Sequence, residues 1–154
     1  MSQTPGKSLF PVFDVPAVTV ESRPTKQRYY RAPLWDYERG DFVLTGARQT
    51  VYGTGYDAWV QWCIKTLMTE RWAHLAYSSN TGIEAVSAFR QTSRKAQESA
   101  LKRTITEALL ADPARRTRQV RDFTFVWSDD TLQITCEVYG SDGNSATVSA
   151  GLKI

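Results

Sequence analysis

His74 is the only histidine of the 154-residue chain. It lies in the stretch TERWAHLAYSSNTGIE, Thr69 to Glu84, with two carboxylates, Glu70 and Glu84, and two serines, Ser78 and Ser79. A Ser-His-Asp triad or a Cys-His dyad would have to use this histidine. No G-x-S-x-G elbow accompanies the serines, and the spacing selects no orienting acid. A glycosidase needs two carboxylates across a sugar. Glu70 and Glu84 could be such a pair, but so could almost any two acids of the chain. ERWAHLAY alternates, so His74 is expected to share a strand face with Trp72 and Ala76 and to serve structure.

The other reactive side chains are equally sparse. Cys63 and Cys136 each fall inside an apolar periodic segment, which is the setting of a buried free thiol. They have no metal-ligand spacing and are too few for a disulfide scaffold. There is no Walker loop, GxGxxG, HExxH or CxxC. Asp129, Asp130 and the GSDGN segment occupy turns, where aspartate and asparagine bond their own backbone. A calcium loop needs more oxygen ligands than these supply. The expectation is no catalytic residue, no cofactor, no metal and no enzyme.

The bulk properties agree. The net charge is +3, from 19 basic and 16 acidic residues. A nucleic-acid binder concentrates its basic charge on one face. The nearest basic run, RRTRQVR at Arg115–Arg121, reads as a solvated loop and strand start. No run approaches the ~18 apolar residues of a membrane span, and the N-terminus lacks a signal-peptide core. A soluble product is expected, assembled in the cytoplasm, with neither nucleic acid nor membrane as partner.

The elements that must position these residues follow from periodicity. Residues 1–35 hold five of the six prolines, which remove backbone donors and force extended geometry on their predecessors. Yet they carry Phe10, Val12, Phe13, Val15, Val18 and Val20. An extended arm that lies against its own domain or a neighbour is expected, with Phe10, Phe13 and Val15 as anchors. A short strand is expected at Asp41–Thr45, and Arg48–Tyr52 extends it or forms a second. From Gly55 the period becomes 3.6: Trp59, Cys63 and Leu67 mark an amphipathic helix to about Thr69, capped by Thr54 or Asp57. A second helix follows Thr92 or Ser93, with Leu101, Ile105 and Leu109 on one face, and stops before Pro113.

The last third alternates with period two. Phe123, Phe125 and Trp127 share a face, as do Leu132, Ile134, Cys136 and Val138, and then Ala146, Val148, Ala150 and Leu152. Short polar turns between them predict an antiparallel three-stranded meander with one face buried. The class is α+β: two main helices packed on a small antiparallel sheet, one domain over residues 36–154, and the proline-rich arm over 1–35.

This order, with the TER turn, an aromatic-rich strand ending in YS, the GIE after it, the ITEALLAD helix end and the VRDFTF strand, resembles the baseplate sheath-initiator proteins of contractile phage tails. The similarity is to the XkdS-type branch of the gene-25-like wedge family, over roughly Asp41 to the C-terminus. The family's Glu-Pro-Arg triplet after the second helix is replaced by Asp112, Pro113 and, one residue late, Arg115. The resemblance implies a structural virion protein of the tail baseplate that links the wedge to the first sheath ring by strand exchange. Its partners would be the tail sheath protein, baseplate wedge proteins, and hub or tube-proximal baseplate proteins. The exchanging strand would hold Ala146, Val148, Ala150 and Leu152. It also implies that Thr69 and Glu70 end the first helix, Gly82 makes a tight bend and Ile83 enters the core. Another small tail-completion or connector protein, and a cell-wall hydrolase, are the alternatives.

Overall fold

The computed structural model describes residues 29–154. Phe10, Phe13 and Val15 therefore lie outside the described residues. The elements run β1 (Trp35–Asp36), β2 (Asp41–Phe42), α1 (Gly55–Leu67), α2 (Ala85–Phe89), α3 (Arg94–Leu110), β3 (Thr117–Trp127), β4 (Thr131–Gly140) and β5 (Ser145–Lys153). β1 and β2 form a two-stranded antiparallel sheet, and β3-β4-β5 a three-stranded antiparallel one. The α+β class and the meander are as the periodicity implies.

Helix α1 begins where the sequence offers a complete capping box. The Thr54 hydroxyl accepts the Asp57 N–H, and the Asp57 carboxylate accepts the Thr54 N–H at 2.6 Å. The box satisfies two otherwise orphaned donors, and its hydrogen bonds pull the Asp57 carboxyl below its ordinary pKa. Both residues proposed as the cap are thus used. Helix α3 starts at an N-cap Ser93, whose hydroxyl accepts the Ala96 N–H.

The spacing-four residues Trp59, Cys63 and Leu67 are fully buried, as are Leu101, Ile105 and Leu109 of α3 and Leu132, Ile134, Cys136 and Val138 of β4. Truncating Leu101 or Ile105 to alanine would cost about 2–5 kcal/mol. Trp59 places its indole N–H 3.0 Å from the Thr117 hydroxyl, so the largest core side chain leaves no buried donor unpaired. On β3 the aromatic face is only half buried. Trp127 is held there by its bond to Glu98 (3.0 Å) and by the Arg94 guanidinium over its ring.

Residues 29–35, assigned to the arm by composition, pack on the domain. The Tyr29 ring meets Trp59 edge-on and its hydroxyl donates to the Arg116 carbonyl. A Cβ on Gly55 would overlap Tyr29 Cβ and its carbonyl oxygen, so only glycine admits this residue against the start of α1. The Asp41–Thr45 strand is shorter than expected, but bridges pairing Leu44 with Thr50 and Pro33 with Tyr52 carry the ribbon further.

The strand expected in ERWAHLAY is absent, and this is a correction. Residues 71–82 form a loop of successive turns, closed by Ala73 N–H to Glu70 O, Tyr77 N–H to His74 O and Thr81 N–H to Ser78 O. Trp72 has φ +64° and is exposed, as are His74, Leu75 and Tyr77. Alternation needs a partner strand and a face to bury before it has structural meaning. Here it finds neither among the described residues. The short helix α2 has no counterpart in the sequence pattern, because five residues are too few to display a helical period.

Candidate assembly surface

The loop's two ends show what the acids of the opening stretch do. Ile83 N–H donates to Thr69 O at 2.9 Å, and Arg71 N–H to Ile83 O at 2.8 Å. Gly82, at φ +92°, allows the return, and a Cβ there would stand 2.5 Å from Thr69 O. Ile83 is buried in the core. Glu70 Oε2 accepts the Ala85 N–H, an orphan donor at the start of α2. Glu84 pairs with Arg71 at 2.9 Å, and its N–H donates to the Thr104 hydroxyl on α3. Each carboxylate is engaged in closing the turn. His74 sits on the exposed loop, its ring edge-on to Tyr77; the structure does not bring it to the serines through any hydrogen bond. Ser78 instead bonds Thr81.

The thiols are inert by environment. Burial pushes Cys63 up to about 12, with the nearby Asp112 carboxylate adding to the effect, and burial pushes Cys136 up to about 11. Both are unpaired. Among the described residues, no three His, Cys, Asp or Glu side chains gather as a metal site, and no helix is long and apolar enough to cross a membrane.

Among the described residues, what the fold does present is a sheet edge. β4 and β5 pair over nine consecutive positions without a shift, from Thr131 with Lys153 to Tyr139 with Ser145. At one end Gly140 N–H donates to Asn144 O, and at the other Ile154 N–H donates to Asp130 O. In an antiparallel ladder, hydrogen-bonded and non-bonded pairs alternate. The two end bonds have the same parity, so the pairs Val138–Ala146, Cys136–Val148, Ile134–Ala150 and Leu132–Leu152 spend their backbone groups inside the sheet. Ser145, Thr147, Ser149, Gly151 and Lys153 then turn their N–H and C=O outward. The Tyr56 hydroxyl donates to the Ser145 carbonyl at 2.8 Å, as this parity requires.

The opposite edge is different. β3 carries register breaks between Thr117 and Gln119 and between Arg121 and Thr124, and Asp122 has φ +53°. Bulges of this kind blunt an edge against further pairing. β5 has no bulge, no proline and no charge before Lys153. Its nine residues offer about 30 Å of regular edge.

The side chains of Ala146, Val148 and Ala150 are buried, and Leu152 half-buried, on the inner face under the helices. A strand added at β5 would meet the outward backbone of the intervening residues. Sequence patterning finds the inner set, because hydrophobicity marks it. It misses the outer set, because ladder parity depends on how the hairpin closes.

Among curated proteins nothing matches the chain. A family model described as contractile injection system sheath initiator matches residues 31–143. That range begins with the segment anchored beside Tyr29 and ends in the β4–β5 turn, one strand before the regular edge. Since the match covers well over half of the chain, the protein belongs to the sheath-initiator family of contractile injection systems.

Proposed function

We propose that this sheath initiator is a structural baseplate wedge component, and that β5 accepts a strand from the first sheath ring. The role at the start of a contractile sheath comes with the family and brings with it the surroundings of tail sheath and baseplate. The observation that carries the finer reading is the contrast between the two edges. β3 is interrupted twice, whereas β5 runs unbroken with alternate backbone groups turned outward. In β-augmentation, backbone hydrogen bonds supply affinity and alternating side chains set register. An open edge is a liability in a free monomer; here it is the working surface. A strand laid on β5 would extend the sheet while α1 and α3 continue to cover its inner face. The buried meander would then transmit load from sheath to baseplate through a continuous ladder.

The test is assembly of sheathed tails with edge-directed variants. Ser149→Pro removes an outward N–H, and proline is tolerated on an edge whose donor faces solvent. The variant protein should fold and join the baseplate, and the sheath should fail to start on it. Normal sheathed particles carrying folded Ser149→Pro and Thr147→Pro proteins would refute strand addition at β5.

A further inference from the structure

The described chain starts at Tyr29, clamped against Gly55 and Trp59, and a groove of about 740 Å³ opens beside it. Trp35, Tyr37 and Phe42 line one part of the groove, and Trp62 and Met68 of the α1 side another. Four of these remain exposed, from 38% for Trp35 to 58% for Met68. Apolar surface so concentrated marks a binding site rather than ordinary surface.

The charge of the lining has one sign. Among the described residues Arg31, Lys65 and Arg116 contribute to it, and no carboxylate does. Arg116 is answered by Asp112. Among the described residues Arg31 donates to the carbonyls of Tyr52 and Gly53, Lys65 lies over the Tyr77 ring, and neither forms a salt bridge. The groove therefore suits an apolar segment with an acidic residue in it.

The chain itself carries such a segment just upstream. Residues 8–22, SLFPVFDVPAVTVES, hold Phe10, Val12, Phe13, Val15, Val18 and Val20, and their only charges are Asp14 and Glu21. Pro11 and Pro16 favour extended backbone, which lowers the entropy lost on docking. Thirteen residues lie between Val15 and Tyr29, a reach of up to about 45 Å. That is enough to pass the rim and double back.

We infer that residues 10–15, FPVFDV, dock into this groove of their own domain, with Phe10, Phe13 and Val15 against its aromatic walls and Asp14 facing Arg31 and Lys65. The inference is independent of the sheath-accepting edge, since its test contains no sheath.

The experiment uses the full chain with Ser8→Cys carrying a nitroxide label; the buried, high-pKa native thiols stay unlabelled. Paramagnetic broadening should remove more than half of the intensity of the Met68 methyl and the Trp62 indole N–H, and spare Val126 on the outer sheet face. Phe10→Ser with Phe13→Ser, and separately the exposed Lys65→Glu, should restore groove signals at least twofold. A mixture of labelled protein and isotope-enriched unlabelled protein should show no broadening. Broadening in the mixture would mean that a second copy's arm fills the groove, and no broadening in either sample would leave the arm for a neighbouring protein. Each of these two results overturns docking within one chain.

Discussion

Asp112 and Arg116 form a two-point ion pair across the turn from α3 to β3. Arg116 Nε lies 2.8 Å from Asp112 Oδ2, and Nη2 lies 3.1 Å from Oδ1. The same carboxylate accepts the N–H groups of Ala114 and Arg116. The Asp112 side chain has no exposure, and that of Arg116 has 12%. Arg116 also lies over the Trp62 ring of α1. Arg115, which stands one residue late for the arginine of the family's triplet, is followed directly by this second arginine. Arg115 adopts φ +52°, and that left-handed step brings Arg116 back over the carboxylate.

Removing one member of a buried pair leaves the other charge uncompensated, at about 3–5 kcal/mol. Asp112→Ala should therefore destabilise the domain by that amount in urea unfolding, with Asp112→Asn less severe because it retains an acceptor for the backbone. A loss under 1 kcal/mol for Asp112→Ala would show that the pair does not hold the turn.

Proline scanning along β5 should read out ladder parity. Val148→Pro removes a donor spent inside the sheet and should be strongly destabilising, whereas Ser149→Pro, one residue on, should cost markedly less. Thermal unfolding of the two purified variants makes the comparison. Equal losses would mean that the alternation has been assigned wrongly.

Gly82→Ala should be among the most damaging loop substitutions, since this glycine is buried. It combines the left-handed penalty of about 1–2 kcal/mol with a Cβ at 2.5 Å from Thr69 O. Gly143, also left-handed at φ +90° but with open space around its Cβ position, should show the conformational penalty alone. Denaturation midpoints of the two alanine variants separate the terms.

The buried thiols make stability fall at alkaline pH. Cys63 and Cys136 ionise with a pKa of 9.0 when unperturbed, and their native values are raised to about 12 and about 11. Their contribution is whole below pH 9 and is lost as pH rises through the native values, because only the unfolded chain releases these protons readily. Urea midpoints should decline from pH 9 upward, and less steeply in a Cys63→Ala, Cys136→Ala variant. Native-state alkylation at pH 8 should be correspondingly slow.

His74→Gln should change stability by less than about 0.5 kcal/mol, as expected for an exposed loop position. Glu70→Ala and Glu84→Ala should each cost about 0.5–2 kcal/mol, through lost capping of α2 and a lost partner for Arg71. Purified protein should show no saturable turnover of peptidoglycan. Turnover abolished in a folded Glu70→Gln or Glu84→Gln variant would establish a hydrolase.

Local physics alone determined much of this protein. The 3.6 period of Trp59, Cys63 and Leu67 and the period two of β4 and β5 each reflect one buried face, so the two long helices, the meander and most of the core were legible, while the five-residue α2 was not. The Thr54–Asp57 box and the Ser93 cap were legible too, since caps act over three residues. Tertiary structure decided the rest. The alternating ERWAHLAY became a loop because it has no strand to pair with. Tyr29 joined the domain because Gly55 leaves room for it, and Arg116 reaches Asp112 through the left-handed step at Arg115. Which backbone groups of β5 face outward followed from how its hairpin closes. Each of these depends on groups distant in sequence meeting in space, and no periodicity along the chain encodes that.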